Sequence, residues 1–251
     1  MSNGELRLGV DQTVARITID NAGKRNAMNA AMWRRLPVLL AEATADPEVR
    51  VVVLTGAGDA FCAGADISEL HEIEGPGGSV TEPAERALLE CPLPTIALIN
   101  GLCIGGGCQL AASCDLRVAA ESAVFGITPA KLGVVYPPSS IARLTELVGP
   151  SAAKLLLFSA DLFSAPRALA MRLVDEVVAD PAERVAELAG TIAGRSQLSV
   201  RAAKELVDLA GRGAPLTERA EHWHDVAVTT GETAEGVGAF LERRMPVFPF
   251  A

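Results

Sequence analysis

The chain has 251 residues, 49% of them hydrophobic, enough to bury the core of one large domain without disulfide or metal staples. Its formal net charge is −9, and no run of Lys and Arg works against that field, which argues against a nucleic-acid or anionic-membrane partner. Five cysteines, Cys62, Cys91, Cys103, Cys108 and Cys114, fall at irregular spacings without a CxxC pair, which fits buried reduced thiols better than a disulfide frame or a zinc site.

The opening residues alternate as paired strands, Leu6 to Val10 and Val14 to Asp20, with Asp11 and Gln12 at the turn. The stretch MSNGELRLGVDQ shows no basic segment followed by an apolar run, so a cytoplasmic compartment is expected. From Asn29 to Ala45 the spacing of Met32, Leu36, Leu39 and Leu40 predicts a helix that ends at Asp46-Pro47. Val51 to Thr55 is β-branched and apolar throughout, the mark of a strand covered on both faces. Residues 74–78, EGPGG, read as a mobile loop.

No charge occurs between Cys91 and Cys114, a length that could cross a bilayer. Pro92, Pro94, Asn100, Gln109 and the glycines at 101 and 105–107 would break a spanning helix, so a buried strand, a turn and a buried helix start are expected instead. Thr95 to Ile99 supplies that strand, a helix begins near Gly106, and Leu116 to Ala119 is the next strand. Helical spacing then dominates over 139–148, 151–158, 182–193, 198–210, 216–228 and 233–244. Arg195-Ser196 is the expected seam between an α/β core, residues 1–195, and a helical tail, residues 196–251.

Strand, glycine-bearing turn and helix thus occur twice, after Thr55 and after Ile99. A helix start leaves unpaired amides and carries the positive end of the helix dipole. Glycines there let a polarised oxygen approach without meeting a Cβ, although close packing of helix on strand would select the same residues. Two such turns after parallel strands could bring two amides to one point, the geometry of an oxyanion hole. Neither turn matches GxxxxGK[ST] or the full GxGxxG, so a nucleotide phosphate cradle is disfavoured.

Four stretches, residues 21–29 (NAGKRNAMN), 60–70 (AFCAGADISEL), 100–110 (NGLCIGGGCQL) and 240–248 (FLERRMPVF), together resemble the enoyl-CoA hydratase/isomerase, or crotonase, superfamily. The resemblance implies an α/β spiral of ββα units with a C-terminal helical region that packs trimers, often paired into hexamers. The substrate would be an acyl-CoA thioester. Coenzyme A is then part of the substrate, with no separate cofactor or metal, and with no nucleic-acid or membrane partner. By analogy the Ala65 and Gly106 amides would hold the thioester oxygen and stabilise an enolate. Ala63, Asp66 and Ile67, with Ala27, Ile104 and Pro129, would line the substrate channel, and Lys24 and Arg25 would meet the CoA phosphates.

The chain departs from the family pattern where the chemistry is decided. Hydratases of the family carry a glutamate where this chain has Gln109, and the register from Phe125 to Gly133 sets Pro129 at the second glutamate position. An amide does not exchange protons near neutral pH and proline has no functional group, while one positioned acid or base is worth roughly 10²–10⁴ in rate. Hydration is therefore expected to be impaired. Decarboxylation, which generates the enolate without a base, or isomerisation fits better, and a non-catalytic acyl-CoA carrier is the alternative. Tyr136 is expected near the acyl end, as proton donor or as pocket wall. Ser139 or Ser140 is expected to cap the next helix, Glu69 to be exposed, and His222 and His224 to form a surface or subunit-contact feature, since i and i+2 diverge on a helix. With aromatic residues at 4%, the acyl pocket should be walled by aliphatic groups.

Overall fold

The computed structural model describes residues 4–75 and 78–250. The opening hairpin forms as expected: β1 (Glu5–Asp11) runs antiparallel to β2 (Val14–Asp20), and Gln12 turns with φ 52°. In α1 (Ala30–Ala45) the Asn29 side chain caps the start by accepting from the Met32 amide, and Asp46 closes the end. Met32, Leu36, Leu39 and Leu40 are all buried, each such side chain contributing about 1.5–3 kcal/mol by leaving water. β3 (Val51–Gly56) leads through a long turn into α2 (Leu70–Ile73), then β4 (Glu74–Gly75) and β5 (Gly78–Ser79). The described residues of the loop expected over 74–78 instead belong to paired strands, with Glu74 opposite Ser79 and Gly75 opposite Gly78, while Pro76 and Gly77 lie outside the described residues.

Next comes α3 (Thr81–Leu89), a helix the sequence pattern does not announce, because Glu85 stands among its buried positions beside Ala84 and Leu88. β6 (Thr95–Ile99), β7 (Leu102–Ile104), α4 (Gly106–Ser113), β8 (Leu116–Ala120) and β9 (Val124–Gly126) follow. α5 (Pro138–Ser159) breaks at Gly149 (φ 76°, ψ 163°) before Pro150, where the sequence divides it into two helices. β10 (Leu162–Ser164), α6 (Ala165–Ala170), β11 (Glu176–Val178) and α7 (Pro181–Ala193) complete the α/β part. α8 (Gln197–Gly211), α9 (Thr217–Thr229) and α10 (Glu232–Glu242) end the chain, within two residues of the expected limits.

The main sheet has the order β1-β2-β3-β6-β8-β11, parallel from β2 onward. Alternation along its central strands divides the core in two. Val52, Leu54, Ala97 and Ile99 join the large cluster with α1, α3 and α4, whereas Val51, Val53, Ile96 and Leu98 face Val185 and Ala189 of α7. The uninterrupted apolar runs are therefore strands buried on both faces, as read. A second sheet, β10-β9-β7, stands beside the first and ends at the glycine turn before α4. Lys204 ties α8 to the sheet, its Nζ 2.7 Å from Asp115 Oδ2 and 3.0 Å from the Leu93 carbonyl.

All five cysteines are buried free thiols. Among the described residues no helix is long and apolar enough to cross a membrane, and the uncharged stretch 91–114 is spent on β6, β7 and α4.

Candidate active site

In a parallel sheet the chain leaves the carboxyl ends of the strands into loops that are free to carry chemistry. Here β3 leads to the turn carrying Ala65, and β6 leads through β7 to Gly105 and Gly106. The two loops are stitched together: Cys62 bridges Cys103, with the Cys62 amide on Leu102 O and the Ile104 amide on Cys62 O, both at 2.9 Å. On its other side the Ala65 loop bridges Met28, through the Met28 amide on Gly64 O and the Asp66 amide on Met28 O, both at 2.8 Å.

The triple glycine divides its labour. Gly105 holds φ 52° and ψ −112°, a conformation a Cβ would strain. At Gly106 an added Cβ would stand 2.8 Å from Trp33 Cζ2 and 3.2 Å from the Ala65 nitrogen. At Gly107 it would stand 2.3 Å from the Cys62 carbonyl oxygen, so this glycine serves packing. Among the described residues neither the Ala65 nor the Gly106 amide donates to a backbone or side-chain acceptor. Two unsatisfied donors therefore stand close together at the start of α4, where the helix dipole favours negative charge.

Both donors line one cleft with a volume of about 100 Å³. Of the residues singled out from sequence, Ala63, Ala65, Ile67, Gly106, Gln109, Pro129 and Tyr136 come together on its walls. Lys24, Arg25, Ala27, Asp66 and Ile104 do not line it. The remaining wall carries the aliphatic Leu70, Leu132 and Val134 and no further aromatic residue, but also the polar Glu74, Thr81 and Thr128, so it is less uniformly aliphatic than the low aromatic content suggests.

A sequence profile for enoyl-CoA hydratase/isomerase matches residues 9–249. The chain belongs to this family. It is 35% identical over 245 residues to a short-chain-enoyl-CoA hydratase of Clostridium acetobutylicum, covering 92% of each protein. It is 32% identical to a crotonyl-CoA hydratase of Syntrophomonas wolfei, covering 99% of each. Among solved structures it is similar to an enoyl-CoA hydratase from Bacillus anthracis, with a TM-score of 0.89, 30% identity and coverage of 98% of this chain and 99% of that one. The crotonase fold is thereby shown, and the protein is an acyl-CoA enzyme of the enoyl-CoA hydratase/isomerase family.

Within that family framework, several side chains stand elsewhere than the sequence suggests. Lys24 Nζ is 2.5 Å from Asp66 Oδ2 and 3.1 Å from Ser68 Oγ, so the basic residue is paired rather than free. Burial opposes ionisation of Asp66, but the Lys24 ammonium and the Ser68 donors outweigh it and hold the carboxyl below its usual range. Arg25 sits at φ 51° with its carbonyl accepting from the Ala63 amide, and Ala27 O accepts from Asn21 Nδ2. Glu69 is half-buried, not exposed, and its Oε2 accepts the Ala30 amide at the N-terminus of α1, where a carboxylate is favoured. His71, His222 and His224 are exposed.

Ser140 does not cap α5, which starts at Pro138 without a side-chain cap. It lies inside the first turn, and Gln109 Nε2 donates to its Oγ at 2.9 Å. Ser140 in turn donates to Glu85, its Oγ 2.8 and 2.9 Å from the two carboxylate oxygens. Tyr136 is buried, its hydroxyl donates to Gly105 O at 3.2 Å, and burial raises it well above the ordinary phenol range. Burial likewise pushes the Cys62 thiol up to about 12, which removes it as a nucleophile.

Two carboxylates escaped the sequence reading. Glu74 lines the cleft, with Oε1 accepting from the Ser79 and Thr81 hydroxyls at 2.9 and 3.2 Å. Glu85 is 1% exposed, and burial lifts it to about 7 against the Ser140 hydrogen bonds that oppose the shift. The one available signal was a polar residue flanked by Ala84, Ala87 and Leu88 on a short helix, which by itself reads as a solvated face.

Proposed function

We propose that this protein binds an acyl-CoA with its thioester oxygen between the Ala65 and Gly106 amides and turns it over through an enolate, by decarboxylation in preference to hydration. The observation that supports it is the pair of unpartnered amides, with neither Gln109 nor Pro129 able to exchange a proton beside them. In such a site the bond from Cα to a carboxylate breaks, carbon dioxide leaves, and the electron pair passes to the thioester oxygen. No base is required. One well-placed donor of this kind is worth about 10²–10³ in rate. The relatives named as hydratases are similar over nearly their whole length, but their names do not decide the reaction of a chain with an amide at position 109.

A second reading, double-bond isomerisation, has one observation in its favour: the Glu74 carboxylate on the cleft wall, a base that could move a proton between carbons. Tyr136 serves in either case as a positioning residue, since its hydroxyl is committed to Gly105 O and its burial disfavours the phenolate. Turnover of crotonyl-, 3-enoyl- and malonyl-type thioesters separates these readings. Malonyl-type turnover is the expected result, and rapid hydration of crotonyl-CoA would overturn it. Binding without turnover of any member would make the protein a carrier.

The same reading extends to assembly as a homotrimer or a dimer of trimers. Phe240 and Leu241 on α10, with Met245 and Val247 beyond it, are 74–82% exposed, more apolar surface than a lone helix end keeps wet. Phe240→Glu is expected to shift the mass measured by light scattering to that of one chain.

A further inference from the structure

Gln109, Ser140 and Glu85 form a single file leading away from the cleft. All three are buried, at 7%, 4% and 1% exposure. A small void of about 10 Å³ lies behind Gln109, bordered by Glu85, Ser140, Tyr136 and Arg143. Gln109 Oε1 faces the other way, 3.3 Å from the point where a Gly106 Cβ would stand, and so beside the two unpartnered amides.

The direction of the file is set by its far end. An ionised carboxylate only accepts, so Ser140 must give Glu85 its proton and receive one from Gln109 Nε2, which leaves the amide oxygen toward the cleft. A protonated Glu85 can donate a hydrogen bond to Ser140 Oγ while keeping its proton. The Ser140 hydroxyl can then donate onward, and the group of Gln109 able to receive it is Oε1. The amide turns over, and its two N–H bonds face the cleft. One proton is taken up at Glu85, one hydroxyl rotates, one amide flips, and no covalent bond other than that O–H changes.

We infer that Glu85 is a positioning residue of the thioester site: through Ser140, its protonation decides whether Gln109 offers the bound acyl group an acceptor or a donor. The identity of that ligand rests on the function proposed above. The surroundings of Glu85 permit both forms. Burial, with smaller contributions from Glu82 on its own helix and Glu74 on β4, raises it to about 7 against the opposing Ser140 and Ser139 hydroxyls. From α5, Ser139 Oγ approaches at 3.5 Å, while Arg143 commits its Nε to the Ala112 carbonyl. Cys108 of α4 and Tyr136 border the same void, and the buried side chains of α1, which packs on α3, carry no ionisable group.

The amide itself supplies the test. Its side-chain NMR signal, assigned by its loss in Gln109→Ala, is expected to titrate in the ligand-free wild type with a midpoint at about 7. It is expected to stay fixed in Glu85→Gln and in Ser140→Ala, two variants that break the file at different links. A signal that does not move in the wild type, or that moves equally in a folded variant, overturns the inference. A second reading uses butyryl-CoA, a saturated thioester, in calorimetry from about pH 8.5 to about pH 5.5. Beyond the slope shown by free CoA, the wild type is expected to bind about fivefold tighter at the acid end, one neutral hydrogen bond's worth, and Glu85→Gln to lose that gain. Equal slopes in wild type and variant overturn the inference. A wild type that binds no acyl-CoA at any pH overturns the functional proposal instead, and the amide titration still decides this one.

Discussion

The two walls of the cleft are built on different principles. One is backbone: Ala65 and Gly106 offer amides whose positions follow from strand ends, two bridges and glycines that nothing larger can replace. The other is side chain: Gln109 stands on it, backed by Ser140 and Glu85 behind the cleft, three residues from helices separated in sequence that are joined by hydrogen bonds. A backbone wall can polarise a carbonyl whatever the side chains do. In the function proposed here the side-chain wall, with the Gln109 amide on it, is what sets the proton chemistry available.

The sharpest way to break that contrast is Gly106→Ala. Its Cβ would meet Trp33 Cζ2 at 2.8 Å, displacing the amide, and turnover of the preferred thioester is expected to fall about 10²–10³-fold. Turnover kept within tenfold, in a variant with an unchanged circular dichroism spectrum, would mean the backbone wall is not the one that catalyses.

The next effect belongs to the side-chain wall. Glu85 is raised in the folded protein from 4.5 to about 7, so the folded state keeps a proton that the unfolded chain has lost. Its contribution is fully present below about pH 4.5 and disappears as the pH rises through about 7, an effect of about 3 kcal/mol. Urea unfolding across that window should show the decline in wild type and a flatter profile in Glu85→Gln. Parallel profiles would mean that the carboxyl is not desolvated.

Tyr136→Phe comes third. It removes one neutral hydrogen bond to Gly105 O, about 1 kcal/mol of stability by urea unfolding, with turnover reduced less than tenfold. A loss beyond a hundredfold would bring the hydroxyl to the reacting atoms. The smallest effect is expected at Lys24→Ala. Lys24 is half-exposed and already paired with Asp66, and such a pair contributes about 0–1 kcal/mol, so CoA affinity should weaken by less than about fivefold. A larger loss would show that Lys24 leaves Asp66 to meet a phosphate.

The same contrast explains what the sequence disclosed. The strands β3 and β6 and the helix α1 declare themselves because burial on one or both faces imposes a period on neighbouring residues. Gly105 and Gly106 are legible for a similar reason, since a strained φ and a close contact leave a mark on the local sequence. Gln109 and Pro129 were legible only through the family pattern. Glu85 was not, because nothing in TEPAERALLE states that α5 will bring Ser140 over it. A serine after proline near a helix start has the local meaning of a cap, and at Ser140 a tertiary partner, Glu85, overrides it. The short strands β7, β9 and β10 are three residues each, too brief for any period to show.

The stitching of the Cys62 strand between Met28 and Cys103 has a consequence for how such a protein can change over generations. On the proposed function, the grip on the carbonyl would be inherited with these main-chain bonds, and substitution at 109 or 129 would redirect reactivity while capture of the ligand persisted. A lineage carrying this framework can lose one reaction and gain another without passing through a form that no longer holds its substrate.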